Sequence, residues 1–429
     1  MKFRKETEFQ ETEIGRIARD WKVVRLKDVA EIRGSRKITQ SSDTLTFIPM
    51  EAIPDDGVYA GFELRDANEV KSYVYCEPGD ILLAKITPSF ENGKQGIVPE
   101  EIPGKFALAT TEVYPIRCKN INKFFLFHLL KYPPLRNKLA SLMRGTTGRK
   151  RVPREALEDQ LIPYPPLKEQ ENIGKVLLTI QNLKESMRDA IVRLERLKRG
   201  LMGELLTGRI RIREENGRIS FYRETELQET EIGKIPREWK TVKLSSIAGI
   251  IMGQSPPSGT YNSEGLGMPF LQGKMEFGRM YPSPTTYTTQ PLKIAEPNDI
   301  LISVRAPVGD VNIASYKVCI GRGLAAIRFN LKTANHMFYF YYLQYIKKQL
   351  ETLGKGSTFK AITKKDLEEL LIPLPPIKEQ EKVSGILTMI DKTIELYHEE
   401  RERLDRLKRG LMDLLLTSKV RVVDGDVGS

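Results

Sequence analysis

One long stretch of this chain occurs twice. It runs IPYPPLKEQENIGKVLLTIQNLKESMRDAIVRLERLKRGLMGELLTGRIRI over Ile162–Ile212 and returns as IPLPPIKEQEKVSGILTMIDKTIELYHEERERLDRLKRGLMDLLLTSKVRV over Ile372–Val422. After its Pro-Pro pair, each copy repeats apolar residues at alternating steps of three and four. This spacing is typical of a heptad seam between helices. We therefore predict long helices at 166–207 and 376–417.

The predicted seam joins one long helix to the other. Its residues are Ile173, Val176, Ile180, Leu183, Leu194 and Leu197 in the first helix and Val383, Ile386, Ile390, Leu404, Leu407 and Leu411 in the second. Thr393 and Glu400 are polar interruptions in the second copy. They weaken the expectation of regular knobs-into-holes packing there.

The duplication extends beyond the helices. ETEFQETEIGRIARDW (Glu6–Trp21) reappears as ETELQETEIGKIPREW (Glu224–Trp239), with 12 of 16 positions identical. EPGDIL (Glu77–Leu82) matches EPNDIL (Glu296–Leu301), where a turn leads into a strand. The interiors diverge elsewhere, which predicts a pseudo-twofold frame that carries two related sites with different targets.

Bulk properties narrow the class of protein. The net charge of +12 favours a polyanionic partner. Three scattered cysteines without CxxC spacing argue against a disulfide framework or a zinc site and suit a reducing cytoplasm. No apolar run is long enough for a membrane span, and the first residues lack a secretory signal. The sequence thus predicts a cytoplasmic protein with no membrane and no metal site.

Catalytic motifs are missing from the sequence. SPPS (Ser255–Ser258) lacks the aromatic residue with which an amino-methyltransferase grips an extruded base. GKGST (Gly354–Thr358) has P-loop ingredients in the wrong order. We therefore expect no enzyme activity in this chain.

Basic loops are the candidate DNA contacts, because arginine and lysine reach phosphates and guanine edges while glutamine suits adenine. The alternative for each loop is a solvated surface turn. The candidates are Lys85, Arg149, Lys150 and Arg151 in the first half and Gln254, Gln272, Lys274, Arg305, Arg322, Lys355 and Lys360 in the second. Lys85 and Arg305 are expected to be counterparts near the end of the EPxDIL strand.

Taken together, IPxPPxKEQ, LKRGLMxxLLT, EPxDIL and EIGxIxxxW resemble the DNA-specificity subunit of type I restriction–modification enzymes. The resemblance implies a mixed α/β fold, with two target-recognition domains held apart by two antiparallel coiled-coil helices. Each domain would read half of a split double-stranded DNA target, and helix length would set the spacer. Two modification subunits would supply S-adenosylmethionine-dependent methylation, and restriction (translocase) subunits would cleave with ATP, so this chain needs no cofactor itself.

Four segments follow from this interpretation. We expect a first target-recognition domain with an N-terminal arm at 1–155, a long helix at 156–212, a second target-recognition domain with a linker at 213–365, and a second long helix with a tail at 366–429. The main alternative is a coiled-coil assembly scaffold whose globular domains bind protein. In either case, the outer faces around KEQE and RLKRGLM are the predicted docking sites for partners.

Overall fold

A computed structural model describes residues 1–34, 44–146, 148–353 and 361–423. The chain divides into two compact units, Met1–Ala190 with Tyr397–Ser429 and Ile191–Leu396. The predicted long helices are present as Leu167–Leu205 and Ile377–Leu416. Each long helix contributes to both units, so the compact units are not the four predicted segments.

The first unit contains fourteen described strands and four short helices. The strands are Lys2–Lys5, Phe9–Thr12, Gly15–Ala18, Lys22–Arg25, Ala30–Ile32, Thr44–Ile48, Glu63–Asp66, Val74–Cys76, Ile81–Ala84, Gln95–Ile97, Ala107–Ala109, Val113–Cys118, Leu161–Tyr164 and Val420–Val423, and the helices are Leu26–Val29, Lys123–Lys131, Pro133–Ser141 and Arg154–Glu158.

The second unit contains fifteen described strands and three short helices, and the counterpart of the last strand of the first unit comes first in it. The strands are Ile210–Glu215, Arg218–Arg223, Leu227–Thr230, Gly233–Pro236, Lys240–Lys243, Ala248–Met252, Tyr261–Asn262, Met268–Leu271, Thr286–Thr288, Ile294–Ala295, Ile300–Ser303, Val311–Ile313, Val318–Ile320, Leu324–Phe329 and Leu371–Leu374, and the helices are His336–Tyr345, Lys347–Leu353 and Lys364–Glu369.

Two sheets form the globular part of each unit. In the first unit, one antiparallel sheet is centred on Ile81–Ala84 and Val113–Cys118, and a second contains the parallel pair Thr44–Ile48 and Ala107–Ala109. In the second unit, Ile300–Ser303 pairs with Leu324–Phe329, and Met268–Leu271 lies parallel to Val318–Ile320. The mixed α/β fold is therefore built twice.

The EPxDIL motif makes the same turn in both units. Asp80 accepts a hydrogen bond from the Glu77 amide at 2.8 Å, and Asp299 accepts one from the Glu296 amide at 2.8 Å. Gly79 occupies this turn with a φ of 85°, where its lack of a Cβ removes the steric cost. The buried aspartate of the motif thus closes a turn before a core strand.

In each unit, one arginine forms ion pairs with three carboxylates from separate parts of the chain. In the first unit, Arg421 follows the second long helix and binds Glu169 (2.6 Å), Glu6 (2.6 Å) and Asp20 (2.8 Å). The indole of Trp21 donates to Oε2 of Glu169 at 3.0 Å, and Arg421 donates to both oxygens of this carboxylate. Amide donation from Glu8, with the Arg421 pair, lowers the pKa of Glu6 to about 2. We call Glu6, Asp20, Trp21, Glu169 and Arg421 the first frame cluster.

The second frame cluster is its counterpart. Arg211 binds Glu379 (2.6 Å), Glu224 (2.8 Å) and Glu238 (2.9 Å), and the Trp239 indole donates to Glu379 at 3.0 Å. Burial opposes the charge on Arg211, but its three carboxylates outweigh burial and raise its pKa. The repeated motifs meet at these clusters, so the fold itself accounts for much of the repetition.

The glutamine of KEQ is also structural. Gln170 accepts from the Asn122 amide at 2.9 Å, and Asn122 caps the helix Lys123–Lys131. Gln380 accepts from Asn335 at 2.8 Å in the same way. Glu169 and Gln170 are buried, as are Glu379 and Gln380. The prediction that KEQE forms a docking face is therefore wrong for these residues, because their side chains hold the target domain on the helix.

The two long helices are antiparallel in each unit. In the first, Lys184 pairs with Asp405, and Lys408 donates to Gln181. In the second, Lys198 binds Asp391 at 2.7 Å. Partners on the second helix move backwards as those on the first move forwards, which is the antiparallel arrangement expected from the sequence.

Several residues of the predicted seam lie outside the buried stripe. Leu183, Leu197 and Leu407 are 45%, 51% and 51% exposed, so their placement in the seam is wrong. Ile173, Val383 and Leu404 are buried, whereas Val176, Ile180, Leu194, Ile386, Ile390 and Leu411 are half-buried. One residue turns a helical side chain by about 100°.

The buried stripe therefore follows positions next to the predicted ones, and several of them are polar. Gln181 and Lys184 are buried in the first helix and Asp391 and Lys408 in the second. Within the described parts of the chain, no helix is long and apolar enough to cross a membrane.

Candidate nucleic-acid interface

A cluster of basic side chains lies at one sheet edge of the first unit. Just after the strand Ile81–Ala84, the Lys85 carbonyl accepts from the Val152 amide at 2.9 Å, and Arg151 forms an isolated bridge with Ile86. Arg149, Lys150 and Arg151 are exposed. We call Lys85, Arg149, Lys150 and Arg151 the first edge cluster.

Glycine shapes the loop that carries these residues. A Cβ on Gly145 would lie 2.6 Å from the Arg149 carbonyl oxygen, and Gly145 has a φ of 132°. The Arg144 and Arg151 backbones exchange hydrogen bonds at 2.9 and 2.8 Å across the loop. The basic side chains are thus held on a defined hairpin-like turn.

Lys85 differs from the other members because it is half-buried. Its ammonium lies 4.6 Å from the centre of the Tyr114 ring. Burial, with repulsion from Arg151 and Arg154, lowers the pKa of Lys85 to about 8. The lysine stays mostly protonated at neutral pH, so the cluster presents a concentrated positive field.

The second unit gathers its candidates at the ends of strands from both of its sheets. Three turns stack there, and they carry Gln254, Gln272 and Arg322. The Gln254 amide donates to the Ile320 carbonyl at 2.9 Å, and the Arg322 amide donates to the Ser255 hydroxyl at 3.3 Å. All three named candidates are exposed.

Glycines permit this stacking. A Cβ on Gly253 would lie 2.1 Å from the Gly321 carbonyl oxygen, and one on Gly323 would lie 2.6 Å from that of Gln272. Arg305 joins the group because the preceding Val304 amide donates to the Gly323 carbonyl at 2.9 Å. We call Gln254, Gln272, Arg305 and Arg322 the second edge cluster.

The structure corrects the expected match between Lys85 and Arg305. The counterpart of Lys85 is Val304, whose carbonyl accepts from the Ile362 amide at 2.9 Å. Arg305 forms the bridge with Ala361 that Ile86 forms with Arg151. A basic residue therefore stands at this bridge in both units, but on opposite strands, so the two edges present different charge patterns.

Lys274 is held by an ion pair. Its ammonium lies 2.7 Å from Asp310, which also binds Lys347 at 2.5 Å. Burial tends to raise the pKa of Asp310, yet the two lysines outweigh it and the pKa is lowered. Lys355 and Lys360 lie outside the described residues.

The sequence places Arg144 in the same basic loop as Arg149–Arg151, but it does not indicate the role of Ser255 beside Arg322. Arg144 is exposed beside Arg151, and Ser255 orients the Arg322 turn. Ser255 adjoins Gln254 in sequence, so a wider window around Gly253 would have included it. Among the described residues, no group of histidine, cysteine and carboxylate side chains is placed to hold a metal ion.

Comparison with known proteins decides the family. Residues 18–196 and 236–406 match the family described as type I restriction modification DNA specificity domain. The chain belongs to this DNA-specificity family. It is 40% identical to the putative type I restriction enzyme MjaX specificity subunit of Methanocaldococcus jannaschii, over 98% of this chain and 99% of that protein.

Solved structures agree with this membership. One, described as the structural basis underlying complex assembly and conformational transition of the type I R-M system, has 30% identity and a TM-score of 0.55 and covers 94% of this chain and 99% of that one. The type I specificity subunit from M. genitalium has 15% identity and a TM-score of 0.59, with 94% and 97% covered, and supports the fold alone. The predicted family and fold are therefore confirmed, and a type I DNA-specificity subunit is favoured over a scaffold that binds only protein.

Proposed function

We propose that each unit reads one half of a two-part double-stranded DNA target through its edge cluster. The observation that carries this proposal is the placement of two chemically different sets of exposed side chains beside the end of the EPxDIL strand in each copy of a duplicated fold. Arg149, Lys150 and Arg151 suit phosphates and guanine, whereas Gln254 and Gln272 suit adenine. Different sets at equivalent places support two different half-sites.

The remaining functions would belong to partner subunits. Two modification subunits that bind S-adenosylmethionine would methylate adenine, and restriction subunits would translocate and cleave DNA with ATP. The duplicated RLKRG segments offer exposed Leu197 and Leu407 for such partners. The proposed place of work is the cytoplasm, where cellular DNA is accessible.

Methylation-site mapping tests the half-site assignment. The chain is expressed with its modification and restriction subunits, and methylated adenines are located by sequencing. Gln272→Ala is expected to relax one half-site and leave the other unchanged, because its unit is separate from the first edge cluster. Relaxation of both half-sites, or of neither, would contradict the assignment.

The salt dependence of binding tests the first edge cluster. Arg151→Ala is expected to weaken binding to all duplexes and to reduce the salt slope by about 1, the value for one lost phosphate contact. Lys119→Ala is a matched control, since Lys119 pairs with Glu31 at 3.0 Å. An Arg151→Ala variant with unchanged affinity and slope would remove Arg151 from the interface.

A further inference from the structure

A two-stranded ribbon accompanies each frame cluster. In the first unit Lys2–Lys5 pairs with Val420–Val423, and in the second Arg218–Arg223 pairs with Ile210–Glu215. We call Lys2–Lys5 and Arg218–Arg223 the outer strands. Their partners carry Val422 and Ile212, which are buried in the cores of their units. Each ribbon is thus anchored on one strand.

The outer strands expose matching apolar side chains. Phe3 is opposite Val422 and Phe221 is opposite Ile212, yet Phe3 and Phe221 are 57% and 53% exposed. The residues two positions earlier, Met1 and Ile219, are also exposed. Alternation in an extended strand puts Ile219 and Phe221 on one side of their ribbon, and Met1 directly precedes the strand that carries Phe3. In each unit, therefore, an apolar strip runs from a buried residue of the inner strand to an exposed phenylalanine of the outer strand.

The duplication places the same exposed apolar side chains at equivalent positions in both units. Met1, Phe3 and Lys5 correspond to Ile219, Phe221 and Arg223 at the 218-residue offset of the Glu6–Trp21 motif. A single exposed phenylalanine is ordinary on a protein surface. A matched apolar pair that the cores do not use, beside interiors that have diverged, indicates a shared external contact.

The outer strands also have a free edge. Within the described ranges, no third strand joins either ribbon. An unpaired edge can accept another strand through its main-chain groups. Lys2, Arg4 and Lys5 on one edge and Arg218 and Arg223 on the other are exposed, so the complementary partner is acidic.

We propose that the two outer strands are docking edges for two copies of one protein subunit, each of which covers Phe3 or Phe221 with an apolar segment flanked by acidic residues. This inference rests on the proposed function, which makes the modification subunit the occupant. The two edges share an exposed phenylalanine and a basic end at the same places, which favours the same partner for both. Protein is favoured over DNA because the strip is apolar, and an apolar partner surface removes such side chains from water.

Stoichiometry is the sharpest readout of this proposal. The chain is co-expressed with the modification subunit of its own system, and the complexes are weighed by native mass spectrometry. The intact chain is expected to carry two modification subunits. Phe3→Ser and Phe221→Ser should each retain one, and the double variant should lose both, with at least a tenfold weaker assembly in titrations.

The control variant is Leu64→Ser. Leu64 is 57% exposed on the strand Glu63–Asp66 and lies outside the ribbons, so it should retain two subunits. Unchanged Trp21 and Trp239 emission shows that the variants are folded. A double variant that carries two subunits with unchanged affinity overturns the proposal.

Two other outcomes also overturn it. If the double variant assembles normally but binds duplex DNA tenfold less tightly, the outer strands contact DNA. If the unmutated chain alone dimerises and the double variant is monomeric, the occupant is a second copy. Failure of the proposed function is distinguishable, because the unmutated chain would then bind neither the modification subunit nor any duplex selectively.

Discussion

In each unit, the ion pairs of a single arginine are expected to contribute strongly to the free energy of unfolding. Replacing Arg421 by methionine would leave Glu6 and Glu169 buried without their cation. Loss of one partner of a buried ion pair costs about 3–5 kcal/mol. We expect the free energy of unfolding of the first unit to fall by that amount, measured by urea titration of Trp21 fluorescence in a Trp239→Phe background.

The second unit provides the control for this prediction. Arg211→Met in the same background should leave the Trp21 transition in place, because Arg211 belongs to the second frame cluster. An Arg421→Met transition that coincides with that of the parent would show that the carboxylates are satisfied without the arginine.

Lys408 is expected to make the free energy of unfolding change with pH in the alkaline range. Lys408 is 8% exposed, and burial, with repulsion from Lys184, lowers its pKa to about 8. The unfolded chain, with an ordinary lysine pKa near 10.5, binds more protons above pH 8, so stability rises with pH between these values. The rise amounts to about 3 kcal/mol for a shift of this size.

Lys408→Met should reduce this rise without abolishing it, because it removes one of the protons that the folded state releases, while Lys85 and Lys131, whose pKa values are also lowered, still contribute. Urea unfolding at pH 7.5 and pH 10 measures the difference. Lys392→Met, at an exposed position of the same helix, should preserve it. A parent chain with equal stability at both pH values would contradict the assignment to Lys408.

Residue-scale contacts were only partly predictable. The basic loop around Arg149–Arg151 was visible as charge without neighbouring acids. The Arg421–Glu169 pair was not, because it joins residues far apart in sequence and depends on strand pairing between Lys2–Lys5 and Val420–Val423. Such long-range partners follow from tertiary register rather than from local pattern.

At the scale of elements, the long helices are matched by charge as well as by apolar packing. Asp391 is buried between Lys198 at 2.7 Å and the Tyr341 hydroxyl at 2.9 Å. Asp391→Ala should destabilise the second unit by about 2–4 kcal/mol, since Lys198 loses its counterion in a largely desolvated site. Thermal unfolding followed by Trp239 fluorescence measures the change.

A double variant isolates the pair. Asp391→Ala with Lys198→Met should recover much of the loss, because two apolar groups can replace a buried ion pair at little cost. The coupling energy in the cycle is expected at about 1–3 kcal/mol. Additive single losses would show that Lys198 and Asp391 do not interact.

The helices also show where a heptad pattern fails. Aliphatic spacing located both helices within two residues of Leu167–Leu205 and Ile377–Leu416 but placed the seam beside the buried stripe. The stripe includes Gln181, Lys184 and Asp391, which an apolar pattern omits. The apparent interruption at Thr393 disappears with this rotation, because its neighbour Ile394 is the buried residue.

For the whole molecule, the length of the two long helices should determine the spacer between the DNA half-sites and should not change the bases recognised in either half-site. Inserting four residues after Ala190 and four after Leu396 adds about 6 Å to each helix. We expect the unread spacer in the methylated target to lengthen by about two base pairs, at 3.4 Å per pair. Methylation-site sequencing measures the half-sites and the spacer, and altered half-sites would refute the proposal that helix length sets only the spacer.

The duplicated frame was the part of the molecule most fully predictable from sequence. Two copies of EIGxIxxxW and IPxPPxKEQ defined two equivalent units, because a repeated motif must meet a repeated environment. Side-chain exposure at the sheet edges was beyond the pattern, since close turns at Gly253 and Gly323 decide it.

The pairing of Lys2–Lys5 with Val420–Val423 sets the order in which a ribosome can deliver folded units. The second unit is the continuous segment Ile191–Leu396, whereas the first needs Tyr397–Val423 as well. The later unit in sequence should therefore fold first. A nascent chain halted just after Leu396 leaves the ribosome tunnel should bury Trp239 and leave Trp21 open to quenching. The first unit, although it is synthesised first, can thus complete its folding only after the end of the second long helix has been translated.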